Sequence, residues 1–194
     1  MAEVTYAVSQ GEGKIIGSGG NIVLGASVSG APTTTEGYFN SWGDSGLWSD
    51  PGYAIDGSTE TASVNSNNGT TYMDGISGAA DPGGSTTITK VEIRVHGYET
   101  GSPAQKDIQP LFAGTDPGDL HDSDVPNSSP GWGGYIDITS DTNAPGTWDW
   151  DDVSNLDMNL TFQGFFDYWY ISKVEIRVTY AGSVSTGNFI ITNS

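Results

Sequence analysis

The 194-residue chain contains no cysteine, which excludes disulfide bonds, thiolate catalysis and cysteine-ligated zinc. Basic residues are scarce: 6 lysines and arginines stand against 24 acidic residues, for a net charge of −18. Nucleic-acid binders and proteins of anionic membrane surfaces need the opposite sign, because contacts with phosphate groups supply their affinity. The composition therefore disfavours both classes, whereas clustered carboxylates suit Ca²⁺, which prefers oxygen ligands.

Long apolar runs and helical periodicity are also missing. No stretch approaches the roughly 20 apolar residues of a membrane span. Residues 1–20 lack the basic segment and apolar segment of a classical signal peptide. The chain has instead 28 glycines, together with many short apolar segments between turn-forming residues. This pattern predicts an all-β protein, and its aromatic content is too high for a disordered acidic tail.

One eight-residue stretch occurs twice. Residues 88–95 and 171–178 are identical at seven of eight positions and share the core Lys-Val-Glu-Ile-Arg-Val. Strict alternation of apolar and charged residues is typical of a half-buried strand. An antiparallel pair with Ile93 opposite Ile176 places Glu92 against Arg177 and Arg94 against Glu175, whereas a parallel pair opposes like charges. We therefore predict antiparallel neighbours; the alternative is two equivalent strands that never touch.

The chain divides into three parts. Residues 1–30 form an N-terminal β arm, residues 31–180 a jelly-roll-like two-sheet antiparallel sandwich, and residues 181–194 a linker and a docking strand. Within the sandwich, residues 159–166 and 168–178 are predicted to form a hairpin, and residues 149–156 a short helical turn. The terminal extensions either complete their own sheet or dock on a neighbouring subunit by strand addition. The candidate assembly residues are Val4, Tyr6, Ile22, Val23, Leu24, Phe189, Ile190 and Ile191.

A segment after Trp48 carries a family resemblance. Residues 48–62 contain an aromatic-Pro lead-in, followed by Ala54, Asp56, Gly57 and Thr61 in the pattern Ala-x-Asp-Gly-x-x-x-Thr. This phrase resembles the opening of galactose-binding-like (discoidin-type) jelly rolls, although Ala62 stands where those families usually have Trp. The order of segments over residues 42–180 resembles β-sandwich modules of phage virion and bacterial surface proteins. The resemblance implies a calcium-holding loop at Asp56 and Thr61.

Two further acidic clusters are candidate calcium sites, because each gathers several carboxylates within one turn-rich segment. None of the candidates has the EF-hand spacing, and solvated acidic turns are the alternative interpretation. The two clusters comprise Asp116, Asp119, Asp122 and Asp124, and Asp149, Asp151 and Asp152.

The aromatic residues allow a sugar-stacking platform, since tryptophan offers a flat amphipathic face. The candidates are Trp42, Trp48, Trp132 and Trp169, and packing in the core or between subunits is the alternative. Catalysis is not expected. His96 and His121 lie in no suggestive local context, and the chain has neither a Gly-x-Ser-x-Gly elbow nor a P-loop.

These observations predict a non-enzymatic structural subunit that assembles with itself or decorates a larger shell. The resemblance favours a phage virion protein, such as a capsid decoration or tail or fibre component, located in the virion or on an extracellular surface. One alternative is a carbohydrate-binding module, with or without a dependence on Ca²⁺. Another is an extracellular filament subunit held by donated terminal strands.

Overall fold

The computed structural model describes residues 23–28, 31–43, 48–55, 62–64, 69–84, 86–101, 105–164, 167–181 and 185–190. The strands are β1 (Val23–Val28), β2 (Thr33–Gly43), β3 (Ala62–Val64), β4 (Gly69–Ser77), β5 (Thr87–Thr100), β6 (Gln105–Phe112), β7 (Asp116–Pro117), β8 (His121–Asp122), β9 (Gly131–Trp132), β10 (Ile136–Asp137), β11 (Asp157–Gln163), β12 (Tyr168–Ala181) and β13 (Ser185–Ile190). A 3-10 turn spans Pro51–Ala54 and helix α1 spans Trp150–Ser154. Within these ranges no helix is long and apolar enough to cross a membrane.

Eleven strands form one antiparallel sheet in the order β10-β5-β12-β2-β4-β11-β6-β7, with β3, β8 and β9 pairing beside this path. The sheet curls, so that β4, β11 and β6 share a single hydrophobic core with β5, β12 and β2. The predicted all-β, sandwich-like fold is therefore confirmed.

The duplicated strands pair as predicted. β5 and β12 are antiparallel neighbours, with Ile93 opposite Ile176, Glu92 opposite Arg177 and Arg94 opposite Glu175. The inward side chains of both strands are fully buried: Val91, Ile93, Val95, Val174, Ile176 and Val178. Burial of each such side chain contributes roughly 1.5–3 kcal/mol, so this pair of strands supplies a large part of the core.

The predicted hairpin between residues 159–166 and 168–178 is wrong. β11 pairs with β4 and β6, whereas β12 pairs with β5, β2 and β3. Both strands have an apolar face, and a sandwich core needs such a face from each of its two sides. The chain therefore passes from one side of the core to the other after Gln163, and β2 and β4 separate β12 from β11 in the curled sheet.

The predicted helical turn in residues 149–156 is confirmed by α1. Asp149 is the N-cap residue, and its side chain accepts a hydrogen bond from the Asp152 N–H at 2.9 Å. The Asp152 side chain accepts in return from the Asp149 N–H at 2.9 Å, which completes a capping box. Val153 and Leu156 are fully buried, so this short helix closes one end of the core.

The two terminal segments pair with each other. β1 and β13 form a separate two-stranded antiparallel sheet, in which Val23 lies opposite Ile190 and Leu24 opposite Phe189. We call this sheet the terminal ribbon. The other candidate assembly residues, Val4, Tyr6, Ile22 and Ile191, lie outside the described residues. Among the described strands, neither member of the ribbon pairs with the main sheet.

Candidate functional site

The outer face of β5 and β12 concentrates the chain's positive charge. Lys90 and Arg94 lie on β5, and Lys173 and Arg177 lie on β12. These are four of the chain's 6 basic side chains. Because the alternation places them opposite the core-facing residues, the same repeat that builds the core also builds a charged outer face.

Four side chains on this face form a charged ladder, which consists of Glu92, Arg94, Glu175 and Arg177. Arg94 Nε donates to Glu175 Oε1 at 2.7 Å. Arg177 Nε donates to Glu92 Oε2 at 2.9 Å, and Lys90 Nζ donates to the other oxygen of Glu92 at 2.6 Å. The two glutamates are only 5% and 1% exposed, so each buried carboxylate depends on its cation.

The ladder is buried because a loop lies over it. This covering loop, residues 131–137, includes β9 and β10, which pair with β5. The Arg94 guanidinium lies 3.9 Å from the ring centroid of Trp132 and 4.1 Å from that of Tyr135. Arg177 lies 3.4 Å from the Tyr135 centroid, so one tyrosine ring covers both arginines. Such cation–π contacts are worth about 0.5–2 kcal/mol each, more when water is excluded.

Tyr135 also reaches the carboxylates below it. Its hydroxyl donates to Glu175 Oε1 at 2.5 Å and lies 3.2 Å from Glu36 Oε1. Burial and the hydrogen bond to Glu175 raise the pKa of the Tyr135 hydroxyl far above its ordinary value. The phenol therefore stays protonated at physiological pH and acts as a fixed hydrogen-bond donor. This chemistry stabilises the covering loop and offers no nucleophile.

The structure brings His96 next to a serine. Ser172 is the extra residue where the β5–β12 register shifts, and it is fully buried. Its hydroxyl is hydrogen-bonded to His96 Nδ1 and donates to the His96 carbonyl at 3.2 Å. A buried serine whose proton is already engaged by a carbonyl is a poor nucleophile. The pair holds the irregular backbone in place, which is a structural role.

We predict that His96 makes stability depend on pH. Burial, followed by the charges of Lys173 and Arg94, lowers the pKa of His96 below its ordinary value of 6.5. The folded state therefore disfavours the proton that the unfolded state accepts. The resulting stability is fully present above the unfolded pKa and is lost as the pH falls through the folded pKa.

Urea unfolding between about pH 7 and about pH 5 measures this effect. The wild type should lose more stability over that range than H96Q, whose side chain keeps a hydrogen-bonding group and does not titrate. Equal slopes for wild type and H96Q would contradict the assignment.

Three of the acidic candidates in residues 116–124 have protein hydrogen-bond partners. Asp122 accepts from Lys106 at 2.5 Å and from the Asp124 N–H at 2.8 Å. Asp119 accepts from the Thr142 hydroxyl at 2.8 Å, and the Thr115 hydroxyl lies 3.5 Å from Asp116 Oδ1. These contacts engage three of the four carboxylates with protein donors, and calcium binding at this cluster stays a prediction.

The other acidic candidates are placed differently. Asp149 and Asp152 are engaged in the capping box of α1, and Asp151 is an exposed residue of its first turn. Asp56 and Thr61 lie outside the described residues. In the part of the chain that the structure describes, no three acidic or histidine side chains converge as metal ligands would. Calcium binding at the Asp56 loop and at both acidic clusters therefore stays a prediction.

Three of the four candidate tryptophans belong to one cluster. The Trp48 centroid lies 5.1 Å from that of Trp42 and 5.5 Å from that of Trp169. Trp169 is fully buried and Trp48 is 6% exposed, so both occupy the core position that was the alternative to sugar stacking. None of the three indole N–H groups has an acceptor among the described residues. Trp42 and Trp132 are half-buried and stay predictions as ligand contacts.

A stack of three tyrosines lies beyond His96 on the same outer face. The Tyr98 and Tyr170 rings are parallel within 4°, with centroids 4.3 Å apart. Tyr168 stacks on Tyr170 at 5.7 Å and 21°. We call these three residues the tyrosine stack. Sequence reasoning missed it because an unbroken register would pair Tyr98 with Ile171, whereas the irregularity at Ser172 brings Tyr170 opposite Tyr98.

Comparisons with known proteins give no relative for this arrangement: no family model, no curated protein and no solved structure matches the chain. The resemblance to discoidin-type jelly rolls and virion modules therefore contributes only an expectation.

Proposed function

We propose that the chain is a non-enzymatic structural subunit that assembles through its terminal ribbon, in the manner of a phage virion component. The observation that carries the proposal is the pairing of β1 with β13 apart from the main sheet. A two-stranded ribbon is marginally stable in water by itself, and no other strand among the described residues pairs with its outer edges, which could therefore accept a further strand. Strand addition by another subunit supplies the missing hydrogen bonds.

The charge distribution supports a second copy as the partner. Residues 15–35 and 178–194 contain no charged residue, although the chain as a whole has a net charge of −18. Copies of so acidic a protein repel one another over most of their surfaces. The ribbon lies in the uncharged terminal segments, where strands of two copies can approach without that cost. Natural edge strands are usually protected by lysine or other charges, and this one has none.

Deletion of either strand tests the proposal. We expect the full chain to form discrete oligomers, rings or filaments, and chains lacking residues 1–28 or 182–194 to be folded monomers. Light scattering and negative-stain imaging measure assembly, and circular dichroism confirms that the core remains folded. Repeating the experiment with Ca²⁺ and with a chelator determines whether the predicted Asp56 loop contributes to the contacts.

Charged substitutions in the ribbon test assembly without deleting any residues. Ser27 and Thr186 are cross-strand partners, so S27K with T186E keeps an attractive pair and the net charge while adding charges to the ribbon. The same pair at Thr34 and Thr179, opposite each other in the main sheet, is the matched control. We expect S27K/T186E to abolish assembly and T34K/T179E to leave it intact. Equal assembly by both, or a monomeric wild type, would contradict self-assembly through the ribbon.

A further inference from the structure

We propose that Tyr98 and Tyr170 form a site of oxidative cross-linking, at which a one-electron oxidant joins β5 to β12 by a dityrosine bond. This inference goes beyond the proposed structural role and does not depend on the ribbon. It rests on the tyrosine stack, in which the two rings belong to directly opposed residues of neighbouring strands. Their centroids are 4.3 Å apart and their planes differ by 4°.

The geometry favours coupling within one chain. Radical coupling of two phenols requires their ortho carbons to meet, and parallel rings in contact need only small side-chain rotations to do so. The backbone pairing holds both rings in place, so the reaction between them is effectively unimolecular and gains the large advantage of pre-oriented partners. Burial, followed by the neighbouring hydroxyls of Tyr98 and Tyr168, raises the pKa of Tyr170, consistent with three phenols at one place.

The site is also accessible. Tyr98 and Tyr170 are half-buried, and Tyr168, next to Tyr170 in the stack, is 37% exposed. An oxidant can therefore reach the stack from solvent. A chain without cysteine has no disulfide to lock its strands, so a carbon–carbon bond at this position is a chemically available replacement.

The reaction balances with hydrogen peroxide as the oxidant and a haem peroxidase as the catalyst. Each tyrosine loses one electron and its phenolic proton, which gives two phenoxyl radicals. A carbon–carbon bond forms between their ortho positions, and the hydrogen on each of these carbons returns to a phenol oxygen. The two electrons and two protons reduce one peroxide to two waters. The protein thereby loses two hydrogen atoms and gains one bond.

The purified full chain, treated with peroxidase and hydrogen peroxide at low protein concentration, tests the proposal. We expect a monomer that is lighter by two hydrogens and has dityrosine fluorescence. Trypsin cuts after Arg94, Lys106 and Lys173, so Tyr98 is the only tyrosine of peptide 95–106. That peptide should be recovered bonded to peptide 107–173. Cleavage after Lys106 must be complete, with a C-terminus at Lys106 and an N-terminus at Asp107, so that the product is not a single uncleaved peptide.

Substitutions identify the two rings. Y98F and Y170F keep the stacked ring but remove the phenol, and each should reduce intramolecular dityrosine at least about tenfold. Y168F and Y72F are the matched controls and should keep it; Tyr72 is 48% exposed. Loss of the signal in Y168F with retention in Y98F would overturn the assignment. So would a product found only between chains, or no dityrosine in the wild type.

Discussion

Replacing Arg94 with methionine should destabilise the protein by about 3–5 kcal/mol, since it leaves a buried carboxylate without its cation. Glu175 is 1% exposed, and Arg94 Nε is its ion-pair partner at 2.7 Å. Once the guanidinium is gone, Glu175 retains the hydroxyls of Tyr135 and Tyr38 as neutral donors, and neither supplies a compensating charge. Methionine keeps the length and apolar volume of the side chain, so the loss reports the charge.

The same substitution removes the contacts that hold the covering loop. Arg94 lies between the rings of Trp132 and Tyr135, at 3.9 and 4.1 Å from their centroids. We expect protection of the loop's amides against hydrogen exchange to fall together with global stability. Urea unfolding, monitored by circular dichroism, measures the global free energy of unfolding.

Two control variants test whether the loss of stability arises from the unpaired buried charge. K90M removes another cation of the same face, but the Lys90 side chain is 43% exposed, so loss of its solvent-screened pair with Glu92 should cost much less stability than loss of Arg94. The double variant R94M/E175M removes both charges and should recover most of the stability lost in R94M, because a buried ion pair is often replaceable by apolar side chains. If R94M is as stable as K90M, the buried carboxylate of Glu175 does not depend on Arg94 for its charge compensation, and the prediction is wrong.

The register of β5 and β12 could be predicted because the repeated stretch is self-complementary in one orientation only. Val, Ile and Val define the inward face, and the order Glu then Arg makes antiparallel pairing attractive and parallel pairing repulsive. No comparable sequence pattern predicts that the covering loop lies over the outer face of these strands. Tyr135 and Trp132 lie in a turn-rich segment far along the chain, so their position over the arginines follows from the tertiary fold alone.

Strand β2 shows why other parts of the sheet were missed. Residues 33–43 contain Gly37 at an inward position, which interrupts the apolar alternation that indicates a strand. The structure gives the reason for glycine: a Cβ at Gly37 would lie 2.4 Å from the backbone nitrogen of Ala79. Two chain segments approach each other closely at Gly37, so this position requires glycine. The same glycine interrupts the apolar alternation by which the strand could have been predicted.

Replacing Trp169 with alanine should cost about 3–5 kcal/mol, the cost of emptying a large aromatic site in a packed core. Trp169 is fully buried, and its ring contacts those of Trp48 and Phe162, with centroids at 5.5 and 6.5 Å. The milder W169F should lose less, because most of the cavity remains filled. L120A is the control: Leu120 is 57% exposed, and its loss should change stability by no more than about 0.5 kcal/mol.

The Trp169 result also separates two roles for the tryptophan cluster. A residue that acts only in sugar stacking tolerates removal without loss of stability, because its ring face is kept free for the ligand. A core residue makes the fold depend on it whether or not a ligand is present. We therefore expect W169A to lower the urea midpoint in the absence of any glycan, and a wild-type midpoint would contradict the core role. Half-buried Trp132 can then be tested for glycan binding separately, because its ring lies on the outer face and outside this cluster.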